Sequence, residues 1–236
     1  MRGRDPVSRR VLADDVYDRL MVDLVDGRLP AGAPISIDAL ARDLGVSQTP
    51  VREALARIEW TGLVTRIALK GYRVAPPFAA EDLRQLFEAR RVIEPATASA
   101  AARRAAPELC DGLGQDLEDL RTAPRGPSFT DFRSYWEADE RFHRRIADHC
   151  GNRYLLRSYS ALGGQVQRYR LFVGRGVTDA ESTLHEHGLV LAAIRDGDPE
   201  RARASMDGHI AGVWERALRE SASHEDPEGH PATDGS

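Results

Sequence analysis

The sequence predicts a mainly α-helical protein, in which three helices and a β-hairpin wing precede an all-α, six-helix antiparallel bundle. Apolar residues recur at helical spacing through most of the 236 residues, and Gly or Pro stands near the ends of these segments. A strand-like pattern occurs at residues 63–74. Pro76 and Pro77 follow it and predict a short stiff linker, because two prolines cannot continue a helix or a strand ladder.

The first predicted helix covers residues 10–26 and ends at Gly27. Its apolar residues recur at every fourth position: Leu12, Val16, Leu20 and Leu24. The segment 29–34, with the sequence Leu-Pro-Ala-Gly-Ala-Pro, predicts a turn that separates this helix from the next.

Two short helices joined by a turn come next. Ser36 is a suitable N-cap for the first helix, and Gly45 provides a left-handed residue at its end. Ser47 is the predicted N-cap of the second helix, which extends to Trp60. Pro50 is tolerated there because it lies in the first turn. The buried stripe of the second helix consists of Val51, Leu55 and Ile58.

The outward face of the second helix suits the major groove of DNA. Gln48 and Arg52 are four residues apart and therefore adjacent on the surface. Arginine pairs in a fork with guanine, glutamine pairs with adenine, and a helix N-terminus favours phosphate. We therefore predict a DNA-binding surface that contains Ser47, Gln48, Thr49, Arg52 and Arg57. An ordinary amphipathic helix pair is the alternative.

Residues 63–67 and 72–74 flank the turn 68–71, a pattern that predicts a β-hairpin. Lys70 is the only lysine in the chain and lies with Gly71 at the tip of this hairpin. In a winged helix-turn-helix, this tip would contact phosphate or the minor groove. A solvated turn residue is the alternative for Lys70.

Charge and cysteine content limit the functions that are expected. Residues 1–77 carry a net charge of +2 and the remaining residues −6, which is the direction expected of a DNA-binding part on an acidic body. Cys110 and Cys150 lack metal-binding spacing and are too few for a disulfide framework, so we expect a reducing compartment. Because we find no membrane-length apolar run and no secretory signal, we predict a cytoplasmic protein without membrane contact.

Beyond the linker, the pattern predicts six helices and a disordered tail. Pro107 suits the first turn of the second helix, Gly151 ends the third, and Thr178 to Glu181 form a capping box before the fifth. The polar segment 221–236 lacks apolar periodicity and is expected to be disordered. The six predicted helices start near residues 81, 107, 128, 152, 178 and 199.

The bundle contains a candidate metal site. Asp139 and His143 are four residues apart and share one face of the third helix. His187 and His209 both lie about 14–17 Å from the turn between the last two helices, so they are level in an antiparallel pair. One carboxylate and three imidazoles suit a divalent transition metal, with Zn²⁺ favoured and Mn²⁺, Ni²⁺ or Fe²⁺ possible. Ordinary polar residues on helix faces are the alternative.

The N-terminal motifs resemble the winged helix-turn-helix of the GntR family. The resemblance lies in three segments: Gly27-x-Leu29-x-x-Gly32, residues 40–55 (LARDLGVSQTPVREAL) and Gly62-Leu63-Val64. It implies a DNA-binding domain over residues 9–76, in which Arg52 makes the main base contact. Many members have arginine at the position of Gln48, which implies a different operator preference here. Asp38 lies where some members have a basic residue, so that contact is expected to be absent.

The bundle resembles the FCD effector domain of FadR-type GntR regulators. The resemblance lies in three segments: residues 139–152, 187–198 and 202–209. It implies an FCD-like domain over residues 77–220 that binds a metal and leaves coordination sites for water or a carboxylate. The implied metal ligands are Asp139, His143, His187 and His209. Arg90 matches an arginine of the first effector helix, which implies contact with an anionic effector; a salt bridge is the alternative.

These features together predict a DNA-binding transcriptional regulator rather than an enzyme. We expect a homodimer that represses by binding a palindromic operator in double-stranded DNA, with an affinity controlled by a small carboxylate effector. Two alternatives stay open: the metal is purely structural, or the protein is a metal-dependent hydrolytic enzyme. Against the enzyme, spacing places no separate carboxylate beside the site as a general base, although Glu140 is adjacent in sequence.

Overall fold

The computed structural model describes residues 9–76, 78–172, 177 and 179–222. Nine helices lie within these residues: α1 (Arg9–Val25), α2 (Ile37–Asp43), α3 (Gln48–Glu59), α4 (Ala80–Ala102), α5 (Pro107–Thr122), α6 (Phe129–His149), α7 (Arg153–Phe172), α8 (Ala180–Arg195) and α9 (Pro199–Ala222). The strands are β1 (Pro34–Ile35), β2 (Val64–Ile67) and β3 (Gly71–Val74). The predicted fold class, a winged helix-turn-helix followed by a helical bundle, is confirmed.

One hydrophobic core joins α1, α2, α3 and the sheet. Val51, Leu55 and Ile58 of α3 are completely buried, as the periodicity predicted. They belong to the same buried cluster as Leu20 and Leu24, because α1 packs on α3. The amphipathic face of α3 is therefore fixed against the N-terminal core, and its opposite face points to solvent.

The caps around the turn largely follow the sequence. The Ser36 hydroxyl accepts a hydrogen bond from the backbone N–H of Ala39 at 3.2 Å. Gly45 has a φ of 65°, the left-handed conformation expected at the end of a helix. Ser47 precedes α3 as predicted, but its side chain makes no capping hydrogen bond among the described residues.

The wing is a three-stranded antiparallel sheet rather than an isolated hairpin. In the hairpin, Val64 of β2 lies opposite Val74 of β3. The other edge of β3 pairs with β1, where Ile35 lies opposite Tyr72. We predicted only a turn before Ile35, because a strand of two residues has no periodicity to detect. Pro34 is compatible with β1 because this strand lies at the sheet edge.

A second core lies among the helices of the bundle. α4 packs on α9, α5 on α6, and α8 on α9. Buried apolar residues from these helices include Phe87, Leu113, Phe142, Ile194 and Met206. These helices also enclose four buried polar residues, Asp139, His143, His187 and His209.

The start of α8 and the end of α9 are two boundaries that depart from the sequence prediction or lie at the edge of the described residues. The capping box was predicted at Thr178, which lies outside the described residues, and the structure gives Asp179 as the residue before α8. The predicted tail began at residue 221, but α9 continues to Ala222. The remaining tail, residues 223–236, also lies outside the described residues.

α6 connects the two cores. Its N-terminus carries a capping box between Ser128 and Asp131. Phe129 and Phe132, in its first turn, are buried in the N-terminal core with residues of α1 and α3. The backbone N–H of Phe129 also donates to Asp26 Oδ1 at 3.1 Å. One end of α6 is thus part of the winged helix-turn-helix core, whereas the rest lies in the bundle.

The hydropathy of the helices bears on membrane insertion. Among the described residues, no helix combines the length and the apolar character that a membrane crossing requires.

Candidate nucleic-acid interface and metal centre

The polar face of α3 is open to solvent. Ser47, Gln48, Thr49, Arg52 and Arg57 are all exposed. The buried residues of the same helix are Pro50, Val51, Ala54, Leu55 and Ile58. The helix is therefore oriented as the major-groove prediction requires.

A chain of hydrogen bonds orders the exposed edge of α3. Arg52 Nη2 donates to Gln48 Oε1 at 3.0 Å, and Gln48 Nε2 donates to Asp38 Oδ1 at 2.5 Å. Asp38 therefore fixes the orientation of the Gln48 amide, and this amide in turn holds the Arg52 guanidinium. The two side chains predicted to read bases are therefore adjacent and joined by a hydrogen bond.

Arg57 has a different environment. Its Nη1 donates to Asp14 Oδ1 at 2.5 Å, and its guanidinium carbon lies 4.3 Å from the centre of the Tyr17 ring. Both partners belong to α1. Arg57 thus stabilises the packing of α3 on α1, and its contact with DNA stays a prediction.

The wing tip presents one cation and one apolar side chain. The backbone N–H of Lys70 donates to the Ile67 carbonyl at 3.0 Å and closes the turn. Lys70 is exposed, and Leu69 beside it is fully exposed with a φ of 61°. Gly71 has a φ of 87°, which its lack of a side chain permits. The predicted wing residues are therefore accessible to DNA.

The four predicted metal ligands lie together inside the bundle. Asp139 and His143 come from α6, His187 from α8 and His209 from α9, and all four are buried. The ring of Phe142 stacks on His187 with centroids 4.1 Å apart. The equal rise of the two histidines from the α8–α9 turn accounts for their meeting.

The distances within the cluster fit a metal. His187 Nε2 lies 3.2 Å from both His143 Nε2 and His209 Nε2. Asp139 Oδ1 lies 3.5 Å from His187 Nε2 and 3.9 Å from His143 Nε2. A tetrahedral Zn²⁺ with bonds of about 2.0–2.1 Å separates its nitrogen ligands by about 3.3–3.4 Å. The two distances from His187 Nε2 are therefore close to the spacing that zinc imposes, and all three imidazoles have a ligand atom within 4.8 Å of the others.

Two carboxylates outside the cluster set the proton positions. Glu94 Oε2 lies 2.7 Å from His143 Nδ1, and Glu186 Oε2 lies 2.8 Å from His209 Nδ1. Because a carboxylate only accepts, Glu186 keeps the imidazole proton of His209 on Nδ1, and the closeness of Glu94 favours the same tautomer of His143. The Nε2 lone pair of each ring then faces the cluster. His187 can donate a proton to only one of these lone pairs. A divalent cation satisfies all of them, so the donor set fits a metal.

Sequence reasoning missed both of these carboxylates. The only available signals were the position of Glu94, four residues after Arg90, and that of Glu186, next to His187. Neither spacing distinguishes a partner of a metal ligand from an ordinary surface acid. The contacts arise between α4 and α6 and between α8 and α9, so only the packing of the helices reveals them.

The protonation states favour metal binding. Burial lowers the pKa of His209, which favours the neutral imidazole that coordinates a metal. Burial opposes the charge of Glu186, but hydrogen bonds from His209 and Arg216 lower its pKa to about 2. Burial likewise opposes the charge of Glu94, yet Arg90 and His143 hold its pKa below the ordinary value. Both carboxylates are therefore charged at neutral pH.

Arg90 lies beside the cluster and is only 1% exposed. Its Nε donates to Glu94 Oε1 at 2.6 Å. Nη1 and Nη2 are buried and have no hydrogen-bond partner among the described residues. Buried charged donors without partners are costly, so this fork is suited to an anion. The alternative, a salt bridge, is also present: Arg90 pairs with Glu94, but only through its Nε atom.

Glu140, the residue considered as a general base, contacts a different helix. It accepts a hydrogen bond from the Tyr159 hydroxyl of α7 at 3.4 Å. This contact directs its carboxylate toward α7 and offers no support for the hydrolytic alternative.

Comparison with known proteins gives the family. The family model described as "Bacterial regulatory proteins, gntR family" matches residues 12–74, and the FCD domain model matches residues 85–212. The first match covers the helix-turn-helix and wing, and the second covers the helices that carry the histidine cluster.

Relatives and solved structures agree with these matches. A "Probable D-xylose utilization operon transcriptional repressor" of Paenarthrobacter nicotinovorans is 29% identical over 205 residues, 87% of this chain and 88% of that protein. The HTH-type transcriptional repressor GlaR of Escherichia coli is 28% identical over 204 residues, 83% of this chain and 91% of that protein. The structure of E. coli McbR/YncC is 22% identical, with a TM-score of 0.67 over 89% of this chain and 98% of the other.

The fold and these relatives define a DNA-binding transcriptional regulator, not an enzyme. The chain belongs to the GntR family of bacterial regulatory proteins and carries an FCD domain.

Proposed function

We propose that this regulator is a repressor whose operator affinity is controlled by a small organic acid bound between a divalent metal and Arg90. The observation that carries the proposal is the buried Nη1–Nη2 fork of Arg90, which has no partner among the described residues and lies beside three converging imidazoles. One ligand carboxylate accepts both hydrogen bonds from such a fork. The D-xylose operon relative and GlaR are both named as repressors, which supports repression for this chain.

The proposed metal is Zn²⁺, with Mn²⁺, Ni²⁺ or Fe²⁺ as alternatives. His143, His187 and His209 would hold it, with Asp139 as a fourth ligand. When bound, it supplies a Lewis acid for a carboxylate oxygen of the effector. The residues of the chain supply the rest: Arg90 binds and orients the acid in a site that excludes water.

α6 is the proposed route from the effector to DNA. Asp139 and His143 lie on this helix, and Phe129 and Phe132 at its other end pack in the winged helix-turn-helix core. Arg133 adds an ion pair to Asp18 of α1 at 2.8 Å. A displacement of α6 by the effector therefore moves a surface on which the DNA-binding part rests. Effector coupling of about 1–3 kcal/mol would change operator affinity about 5–150-fold.

We further propose a homodimer that places two α3 helices on a palindromic site in double-stranded DNA. The reading domain would comprise residues 9–76 and the effector domain residues 77–220, followed by the tail. Ser47, Gln48, Thr49, Arg52 and Arg57 would contact the major groove, and Lys70 and Gly71 of the wing would contact the adjacent backbone or minor groove. Such a protein acts in the cytoplasm, where the chromosome is.

The test begins with selection of an operator from a random duplex library. Fluorescence anisotropy then measures affinity for this duplex with the Zn²⁺-loaded protein, with and without each member of a panel of small carboxylates. We expect at least one carboxylate to change the affinity about 5-fold or more. If none changes the affinity or the melting temperature while Zn²⁺ stays bound, the metal is structural and the proposal fails.

A further inference from the structure

Glu94 lies between the candidate metal centre and the candidate anion receptor. Its Oε1 accepts from Arg90 Nε at 2.6 Å, and its Oε2 lies 2.7 Å from His143 Nδ1. The side chains of Arg90, Glu94 and His143 are all at most 3% exposed. One buried carboxylate therefore contacts both the proposed anion receptor, Arg90, and a proposed metal ligand, His143.

Only a carboxylate can make both of these contacts. Both of its oxygens are acceptors, so Oε1 accepts from Arg90 Nε while Oε2 faces His143 Nδ1 at 2.7 Å. Glutamine has one acceptor oxygen, and its NH₂ group would face one of the two donors. Glu94 thus orients His143 so that its Nε2 lone pair faces the cluster. It also fixes the orientation of Nη1 and Nη2 of Arg90.

The chain contains a matched arrangement that lacks the second function. Glu186 lies 2.8 Å from His209 Nδ1 and also accepts from Arg216 Nη1 and Nη2 at 2.8 and 3.0 Å. Arg216 Nε donates to Asp179 at 2.7 Å. Every nitrogen of this guanidinium therefore has a partner within the protein. Glu186 supports a histidine as Glu94 does, but both Nη atoms of its arginine already donate to a carboxylate, unlike those of Arg90.

We propose that Glu94 is a positioning residue that aligns the metal ligand His143 and the anion receptor Arg90 together. Metal affinity and carboxylate affinity then both depend on this one side chain. Glu186 affects the metal alone. This inference rests on the proposed function, since it concerns the same site and the same class of ligand.

The experiment uses Co²⁺ and acetate as probes on the full chain. Visible absorption of bound Co²⁺ reports metal affinity directly, and its change on acetate titration reports carboxylate affinity at saturating metal. Glu94→Gln and Glu186→Gln should each weaken Co²⁺ binding about 10–100-fold. Only Glu94→Gln should also weaken acetate binding to the Co²⁺-loaded protein, by about 10-fold or more.

Glu94→Asp provides a second variant, because Glu94→Gln leaves the buried Arg90 charge without its partner. The aspartate keeps the charge but is one methylene shorter, so it cannot reach both donors; we expect the same double loss. Circular dichroism verifies that each variant is folded.

Distinct results would contradict the two proposals. If Glu94→Gln and Glu94→Asp weaken Co²⁺ binding and leave acetate affinity unchanged, Glu94 supports the metal only and the inference fails. If wild-type protein binds Co²⁺ but neither acetate nor any larger carboxylate, the proposed function itself fails.

Discussion

Replacement of Arg90 by methionine should remove effector binding. Methionine fills a similar buried volume but offers no donors. The structure leaves Nη1 and Nη2 of Arg90 for the ligand, and each charge-assisted hydrogen bond contributes about 1.5–3 kcal/mol. The loss of two such bonds weakens carboxylate binding by about 100-fold or more. Glu94 still contacts His143 in this variant, so metal binding should persist.

Thermal unfolding of the metal-loaded protein measures this loss. A carboxylate at 100 times its Kd stabilises the wild-type protein by about 2.7 kcal/mol. For a chain of this size, this free energy raises the melting temperature by about 5–11 °C. At the same concentration, Arg90→Met should gain about 2 °C or less, because its Kd then equals or exceeds the ligand concentration. A full shift in this variant would refute the role of Arg90.

Arg91 offers a matched control next to Arg90 in the sequence. Its guanidinium is partly exposed and forms a two-point ion pair with Asp207 of α9, with both distances 2.8 Å. Such a surface pair contributes about 1 kcal/mol or less. Arg91→Met should therefore melt slightly lower than the wild type but keep the whole carboxylate-induced shift. An equal loss of the shift in both variants would indicate damage to α4 rather than loss of a ligand contact.

Four other changes test the remaining parts of the proposal. Arg52→Ala should weaken operator binding about 5–150-fold and relax base preference in anisotropy titrations. Unchanged binding would contradict the placement of α3 in the major groove. Lys70→Ala should weaken binding equally for all duplexes and reduce the slope of log affinity against log salt by about 1. Phe132→Leu should reduce the effect of the carboxylate on operator affinity. Calorimetry should show that this variant still binds the carboxylate with wild-type affinity. Chelation of the metal should abolish the carboxylate-induced melting shift but leave operator binding measurable, and a shift that survives chelation would separate the effector from the metal.

Local sequence determined most of the helices. It also determined how far along each helix the site residues lie. Ser36 and Gly45 bound α2 because a hydroxyl cap and a left-handed glycine act within one turn of the chain. His187 and His209 were predicted to meet because helix rise is constant and a short turn joins their helices. These properties depend on residues near one another in sequence, so spacing alone reveals them.

Contacts between distant segments required the tertiary structure. β1 exists because Ile35 pairs with Tyr72, and Arg57 is held by Asp14 rather than left free on the surface. The partnership of Glu94 with both Arg90 and His143 likewise depends on how α4 packs against α6.

The sequence by itself therefore determined the order of the helices and the hairpin, the exposed edge of α3 and the four side chains proposed to bind a metal. Only the tertiary structure decided which carboxylates support those side chains, that Arg90 has a buried fork without a partner among the described residues, and that α6 joins the two cores. The physical reason is that periodicity and capping act over a few residues. Burial and hydrogen-bond partners are instead determined by side chains from helices that meet only after folding.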